Sequence, residues 1–129
     1  MDISAEYIEM CEKAEEIQEF KRSKKDWYKG DWYFNEFYGM VHIYSNEEIA
    51  AADVVWLPRQ DQLQAIAGNY FCARNLEEFR SFAVELPESP TNCYSYEIAW
   101  LAFVMKKKFG KAWNGEEWIK EKRGRKKRV

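Results

Sequence analysis

One segment constrains the fold of this chain more than any other. Across residues 95–108, Ile98, Leu101, Ala102 and Met105, continued by Phe109, line one side of a helix, and Trp100, Phe103 and Val104 cover much of the rest. A helix apolar nearly all round has no face to offer water, so it belongs in the middle of a core with other elements wrapped around it. Its C-terminal end is marked twice. Gly110 supplies a left-handed stop, and Lys106, Lys107 and Lys108 complement the negative end of the helix dipole. The continuous apolar run, residues 98–105, falls far short of the roughly 20 residues that cross a bilayer, which makes it a core helix rather than a membrane span.

A chain of 129 residues is one domain of ordinary size and buries about two-thirds of its unfolded surface, so it needs no staples. Apolar residues at 47% and charged residues at 33% are a globular composition. Six Trp, eight Tyr and eight Phe leave much of the burying to large rings, and some of those rings could face outward as a binding surface. The three cysteines, Cys11, Cys72 and Cys93, are odd in number and far apart, and the acidic start M-D-I-S-A-E-Y has no signal-like apolar stretch. They read as reduced thiols of a cytoplasmic protein.

The elements around the central helix follow from periodicity. Ser4 is a good N-cap, and Ile3, Tyr7, Met10, Cys11, Ala14 and Ile17 form one helical stripe, with Glu6, Glu9, Glu12, Glu16 and Glu19 outside it. Residues 31–37 and 39–44 read as two antiparallel strands separated by turn-type residues at 35–39, and residues 54–57 as a third. Val41 and Ile43 share one face of the second strand, Met40, His42 and Tyr44 the other. Pro58 suits the opening of a helix carrying Leu63, Ile66 and Ala67, stopped by Gly68 and Asn69. Asn75 with Glu78 resembles a capping box, starting a helix with Leu76, Phe79, Phe82 and Ala83 inward. Residues 87–92 are a connector. After Trp113-Asn114-Gly115, residues 116–123 read as a last short helix, with Trp113 and Trp118 pinning it to the core. The expectation is a single α+β domain over residues 1–119, a small antiparallel sheet of about three strands packed against helices in the order α-β-β-β-α-α-α, followed by a tail at 120–129.

Charge is unevenly placed. Residues 120–129 (K-E-K-R-G-R-K-K-R-V) hold seven of the 20 Lys/Arg and one of the 22 Asp/Glu, a local +6; the first 119 residues keep 13 and 21, a charge of −8. Clustered cations release counterions when they meet phosphates, so Lys122, Arg123, Arg125, Lys126, Lys127 and Arg128 are candidates for sequence-independent nucleic-acid contact. They could equally lie on the Glu-rich face of the first helix or stay solvated. A second cluster spans residues 21–38. Cations (Lys21, Arg22, Lys24, Lys25, Lys29) precede rings (Trp27, Tyr28, Trp32, Tyr33, Phe34, Phe37, Tyr38), the combination that single-stranded nucleic acid stacks upon. Of these, Lys24, Lys25, Trp27 and Lys29 are the candidate contacts. Asp26, Asp31 and Glu36 interleave with them and weaken that reading, and buried rings are the ordinary alternative. Arg59 and Asp61 both fall in a first helical turn; Asp61 suits the dipole and Arg59 does not, which points to an acidic partner for Arg59.

Catalytic and metal signals are thin. Three Cys and the single His42 match a zinc-ligand inventory, but no C-x2–4-C pair is present, and no nucleophile elbow or Gly-rich phosphate loop occurs. No cofactor is implied, and a non-enzymatic chain is the expectation.

Two stretches, W-L-P-R-Q-D-Q-L-Q (residues 56–64) and W-L-A-F-V-M-K-K-K-F-G-K-A-W-N-G-E-E-W (residues 100–118), resemble segments of small uncharacterised proteins of bacteriophages and of prophages in Gram-positive bacteria. The resemblance covers about a third of the chain and carries no functional residue with it. It implies the cytoplasm of a bacterial host, and contact with host protein or nucleic acid rather than metabolism. The leading expectation is a small accessory protein working through protein contacts. The alternative is a nucleic-acid-binding module using the tail, with or without the 21–38 cluster. A zinc protein or enzyme is the third.

Overall fold

In the computed structural model the described residues are 1–24, 27–47, 54–68, 73–84 and 95–121. Helix α5 (Tyr96–Phe109) runs through the core, and every residue from Ile98 to Met105 is buried, as its all-round apolarity requires. Ser95 caps it, accepting from the Ile98 N–H at 3.1 Å. Gly110 ends it at φ 67°, a left-handed conformation that costs a residue with a Cβ. Phe79 stacks on Trp100 with ring centroids 4.0 Å apart and meets Phe103 edge-on at 5.7 Å.

Around it lie α1 (Ala5–Lys13), α2 (Glu15–Lys24), β1 (Trp32–Asn35), β2 (Met40–Ile43), β3 (Val54–Leu57), α3 (Gln60–Ala67), α4 (Ala73–Val84), β4 (Lys111–Trp113) and β5 (Trp118–Lys120). Strands β2, β1 and β3 form an antiparallel sheet in that order, with Tyr33 opposite His42 on one side and Trp56 on the other. Helix α5 packs chiefly on α3, and also on α4, α1 and β4, while α1 and α2 lie against β3. The α+β class and the small three-stranded sheet are those the sequence implies. No helix among the described residues is long and apolar enough to cross a membrane.

Four local expectations are corrected. The first helical stripe is not one helix: Ala14, at φ −86° and ψ 77°, breaks it into α1 and α2. The break keeps Tyr7, Met10, Cys11, Ala14 and Ile17 in the core, while Ile3, ahead of the Ser4 cap, is exposed. The break also turns α2 so that Gln18 reaches the sheet. Helix α4 begins at Ala73, so Asn75 lies inside it and is no cap, and Leu76 is exposed rather than inward. Residues 116–121, the described part of the expected last helix at 116–123, do not form one. Instead β4 and β5 pair antiparallel, with Trp113 opposite Trp118. The Asn114 side chain accepts from the Glu116 and Glu117 N–H groups at 2.8 and 2.9 Å, closing a turn where a helix would have begun. Trp113 and Trp118 pack on the core as expected, and the Trp118 indole donates to the Met10 carbonyl at 3.0 Å.

Candidate binding surfaces

The 21–38 cluster is divided by Asp31. This carboxylate is 1% exposed and receives Lys21 Nζ at 2.8 Å, the Tyr28 N–H at 2.9 Å and Gln62 Nε2 at 2.8 Å. Burial alone would raise its pKa; the Lys21 ammonium and the two N–H donors outweigh that and hold it below the usual carboxylate range. Arg59 Nη1 stands 3.6 Å from Asp31 and donates to the Gly30 carbonyl at 2.8 Å, while its Nε pairs with Asp61 at 3.0 Å. These are the acidic partners its place against the helix dipole called for. Lys21 is itself buried, with its ammonium 4.8 Å from the Trp27 ring centroid and 5.0 Å from that of Trp56. The cation at the start of the cluster is therefore a structural tie between α2 and β1, not a phosphate contact.

Trp27 is half-buried, meeting Tyr33 edge-on at 5.6 Å and Tyr44 at 5.9 Å. Trp32 and Phe34 pack on the core and Tyr33 is buried. Its hydroxyl donates to Glu47 at 2.7 Å, and burial with that carboxylate pushes its pKa up to about 12, so it stays a donor. Tyr28 and Lys29 are exposed, whereas the side chain of Lys24 and the whole of Lys25 lie outside the described residues. The rings of the cluster that face out are Tyr28 and, at the end of the β1–β2 hairpin, Phe37 and Tyr38.

That hairpin end is the first surface of interest. Phe37 and Tyr38 are 76% and 68% exposed, and Met40 and Ile43 along β2 are 56% and 51% exposed. The rings meet edge-on at 5.0 Å. The turn beneath them is held by Asn35, whose side chain accepts from the Tyr38 N–H at 3.0 Å and whose carbonyl accepts from Gly39 at 2.7 Å. Gly39 takes φ 68°, which lets the chain re-enter β2. Two large rings are thus presented on a hydrogen-bonded turn, beside a strand whose outer edge pairs with no other strand among the described residues.

The second surface lies at the far end of α5. An open cleft of about 730 Å³ is lined by Lys107, Lys108, Phe109, Gly110, Lys111, Lys120 and Glu16. Lys107 pairs with Glu78 at 2.7 Å and Lys111 with Glu16 at 2.5 Å. Burial pushes the Glu16 pKa up, but the Lys111 ammonium and the nearby Lys120 charge leave it lowered on balance. Lys120 belongs to β5, and the Glu121 N–H donates to the Gly110 carbonyl at 2.7 Å, so the first two residues of the basic run are tied to the fold. Lys122, Arg123, Arg125, Lys126, Lys127 and Arg128 lie outside the described residues. Sequence reasoning missed Met40, Ile43, Lys108, Lys111 and Lys120 as surface features. The turn-type residues around Phe37 and Tyr38 were a usable signal; nothing local announced that Lys111 and Lys120 would face the end of α5.

Of the metal and nucleophile candidates, Cys11 and His42 lie within the described residues. Cys11 is fully buried, with a thiol pKa raised by that burial, while Cys72 and Cys93 lie outside the described residues. His42 stacks on Tyr33 with centroids 5.4 Å apart. No group of three or more His, Cys, Asp or Glu among the described residues could hold a metal ion. No family model matches the chain, and no curated protein and no solved structure is significantly similar to it.

Proposed function

We propose that this protein is a non-enzymatic binding module that acts through protein contacts, and that the β1–β2 hairpin is the contacting element. One observation carries the reading: Phe37, Tyr38, Met40 and Ile43 are all more than half exposed on one hairpin. Scattered apolar residues on a surface need no explanation, but two rings on one turn, followed along an open strand edge by Met40 on one face and Ile43 on the other, fit a partner that wraps that edge. Asn35 holds the turn in place beforehand, which lowers the ordering cost of binding. The sequence resemblance to small phage and prophage proteins would place that partner in the cytoplasm of a bacterial host.

A photo-crosslinking residue at position 38 tests this in lysate of a Gram-positive host. A discrete adduct is expected that disappears when Phe37→Asp is added. The control places the same crosslinker at Tyr96, which is equally exposed at 68%. No adduct at position 38, or the same adducts from position 96, would remove the hairpin from consideration.

A further inference from the structure

The cleft at the end of α5 is lined by more lysines than its one glutamate can pair. Helix C-termini attract cations, so Lys106, Lys107 and Lys108 are explained by the dipole of α5. Lys111 and Lys120 are not, because they come from the β4–β5 hairpin and are brought to the same place only by its docking. Four lysines line the cleft against one glutamate, on a body whose first 119 residues carry a charge of −8. Lys107 and Lys111 have acidic partners, whereas Lys108 and Lys120 have no ion pair among the described residues. Lys120 then leads directly in sequence into Lys122, Arg123, Arg125, Lys126, Lys127 and Arg128.

We propose that this cleft is a second binding site, distinct from the hairpin, and that it takes the phosphodiester backbone of nucleic acid. The charged part of the lining has the chemistry for phosphate. The lining offers ammonium groups from two directions, and its one ring, Phe109, is half-buried. Base stacking and base-edge readout are therefore absent from the cleft itself, and binding there is sequence-independent and salt-sensitive. A single inorganic phosphate would meet only part of it. A run of phosphates would engage Lys108 and Lys120 together. The contacts are point charges without bidentate geometry, as suits a lysine site that follows a backbone rather than reads a sequence.

The test is fluorescence anisotropy with a labelled 20-nucleotide single strand and a 20-base-pair duplex, at 50 and 200 mM salt. The full chain is compared with the double reversal Lys108→Glu/Lys120→Glu, with the milder Lys108→Gln/Lys120→Gln, with a chain ending at Glu121, and with Arg22→Glu/Arg80→Glu, two exposed positions outside the cleft lining whose reversal changes net charge equally. Circular dichroism confirms the fold of each, and the glutamine pair stands in should the reversal unfold. The cleft reversal is expected to weaken binding at least about tenfold and to flatten the salt dependence by roughly 0.9 in log–log slope per lost duplex phosphate contact. The control reversal should weaken it by less than about threefold. The chain ending at Glu121 should bind more weakly than the full chain and still lose affinity when Lys108 and Lys120 are replaced. Undetectable binding by the full chain at 50 mM salt, equal losses from the two reversals, or no loss from either cleft pair would each overturn the proposal. A failed crosslink at position 38 would leave these outcomes unchanged, so the two sites are judged separately.

Discussion

The two edges of the three-stranded sheet are finished in opposite ways. The outer edge of β3 is closed by one side chain: Gln18 of α2 accepts from the Trp56 N–H at 2.8 Å and donates to the Trp56 carbonyl at 2.9 Å. The amide acts as a one-residue strand, and the same Nε2 also donates to the Cys11 carbonyl at 3.1 Å, next to the Ala14 break. Beneath it, Asp31 binds Lys21, Gln62 and Arg59 and ties α2 and α3 to β1. At the other edge, β2 pairs with β1 alone among the described residues and shows Met40 and Ile43 to solvent. Exposed edges invite pairing with another chain, and proteins commonly blunt them with charge or proline. On β2 neither device is present: its residues are Met40, Val41, His42 and Ile43. The contrast separates the part of the sheet that secures the fold from the part left for contact.

The comparison can be broken most forcefully at Asp31. Asp31→Ala leaves the Lys21 ammonium buried without its carboxylate, and removing one partner of such a pair costs about 3–5 kcal/mol. Urea denaturation should show it as a large fall in midpoint with little change in slope. A loss under about 1 kcal/mol would mean that the sealed side is not what secures the fold.

Gln18→Leu comes next. It keeps the volume and strips hydrogen bonds from the Trp56 N–H and carbonyl, at about 1–3 kcal/mol for a buried group left unsatisfied. Thermal denaturation gives the size. Light scattering should also show new self-association, since the variant reopens the β3 edge.

The acid limb of stability sharpens the same contrast. Asp31 has a folded-state pKa below its ordinary 3.8, so its contribution is fully present above that value. It is lost as pH falls from there through the lower folded-state pKa. Asp31→Asn should therefore lie below the parent protein in stability near neutral pH and converge with it in acid, read from denaturant midpoints between pH 2 and 7. Parallel curves would show that the charge on Asp31 is not what Lys21 and Gln62 respond to.

The smallest stability effect is expected at the open edge. Met40→Lys with Ile43→Lys removes two exposed side chains and should change stability by no more than about 0.5 kcal/mol, as exposed surface substitutions do. The same pair should abolish the position-38 adduct. A large destabilisation there would show that β2 is as much a structural edge as β3.

Much of the fold was legible because it rests on local patterns. The buried α5, its Ser95 and Gly110 ends, the three strands and the Tyr7–Ile17 stripe all follow from spacing that a reader of the chain can count. What was not legible was where a continuous pattern stops. Nothing in the alanine at position 14 marks a helix break, because the gain comes from Gln18 meeting a strand 38 residues later. The last hairpin was misread for a related reason. Acids in a first turn and bases in a last turn describe a helix, but Asn114-Gly115 between two tryptophans describes a turn, and the core contact of both indoles decided the matter.

The candidate surfaces divide along the same line. The sequence alone determined that cations and rings are concentrated at residues 21–38 and at the C-terminal end, and that the body is acidic. Only the tertiary structure decided which of them meet solvent. Lys21 has the same composition as any surface lysine, and it is buried because Trp27 and Asp31 of the α2–β1 connector and Trp56 of β3 converge on it. Lys111 and Lys120 look like ordinary strand-end lysines, and they reach the end of α5 because Trp113 and Trp118 anchor their hairpin to the core. Periodicity records which way a side chain points from its own backbone; exposure and charge density depend on what arrives from elsewhere in the chain.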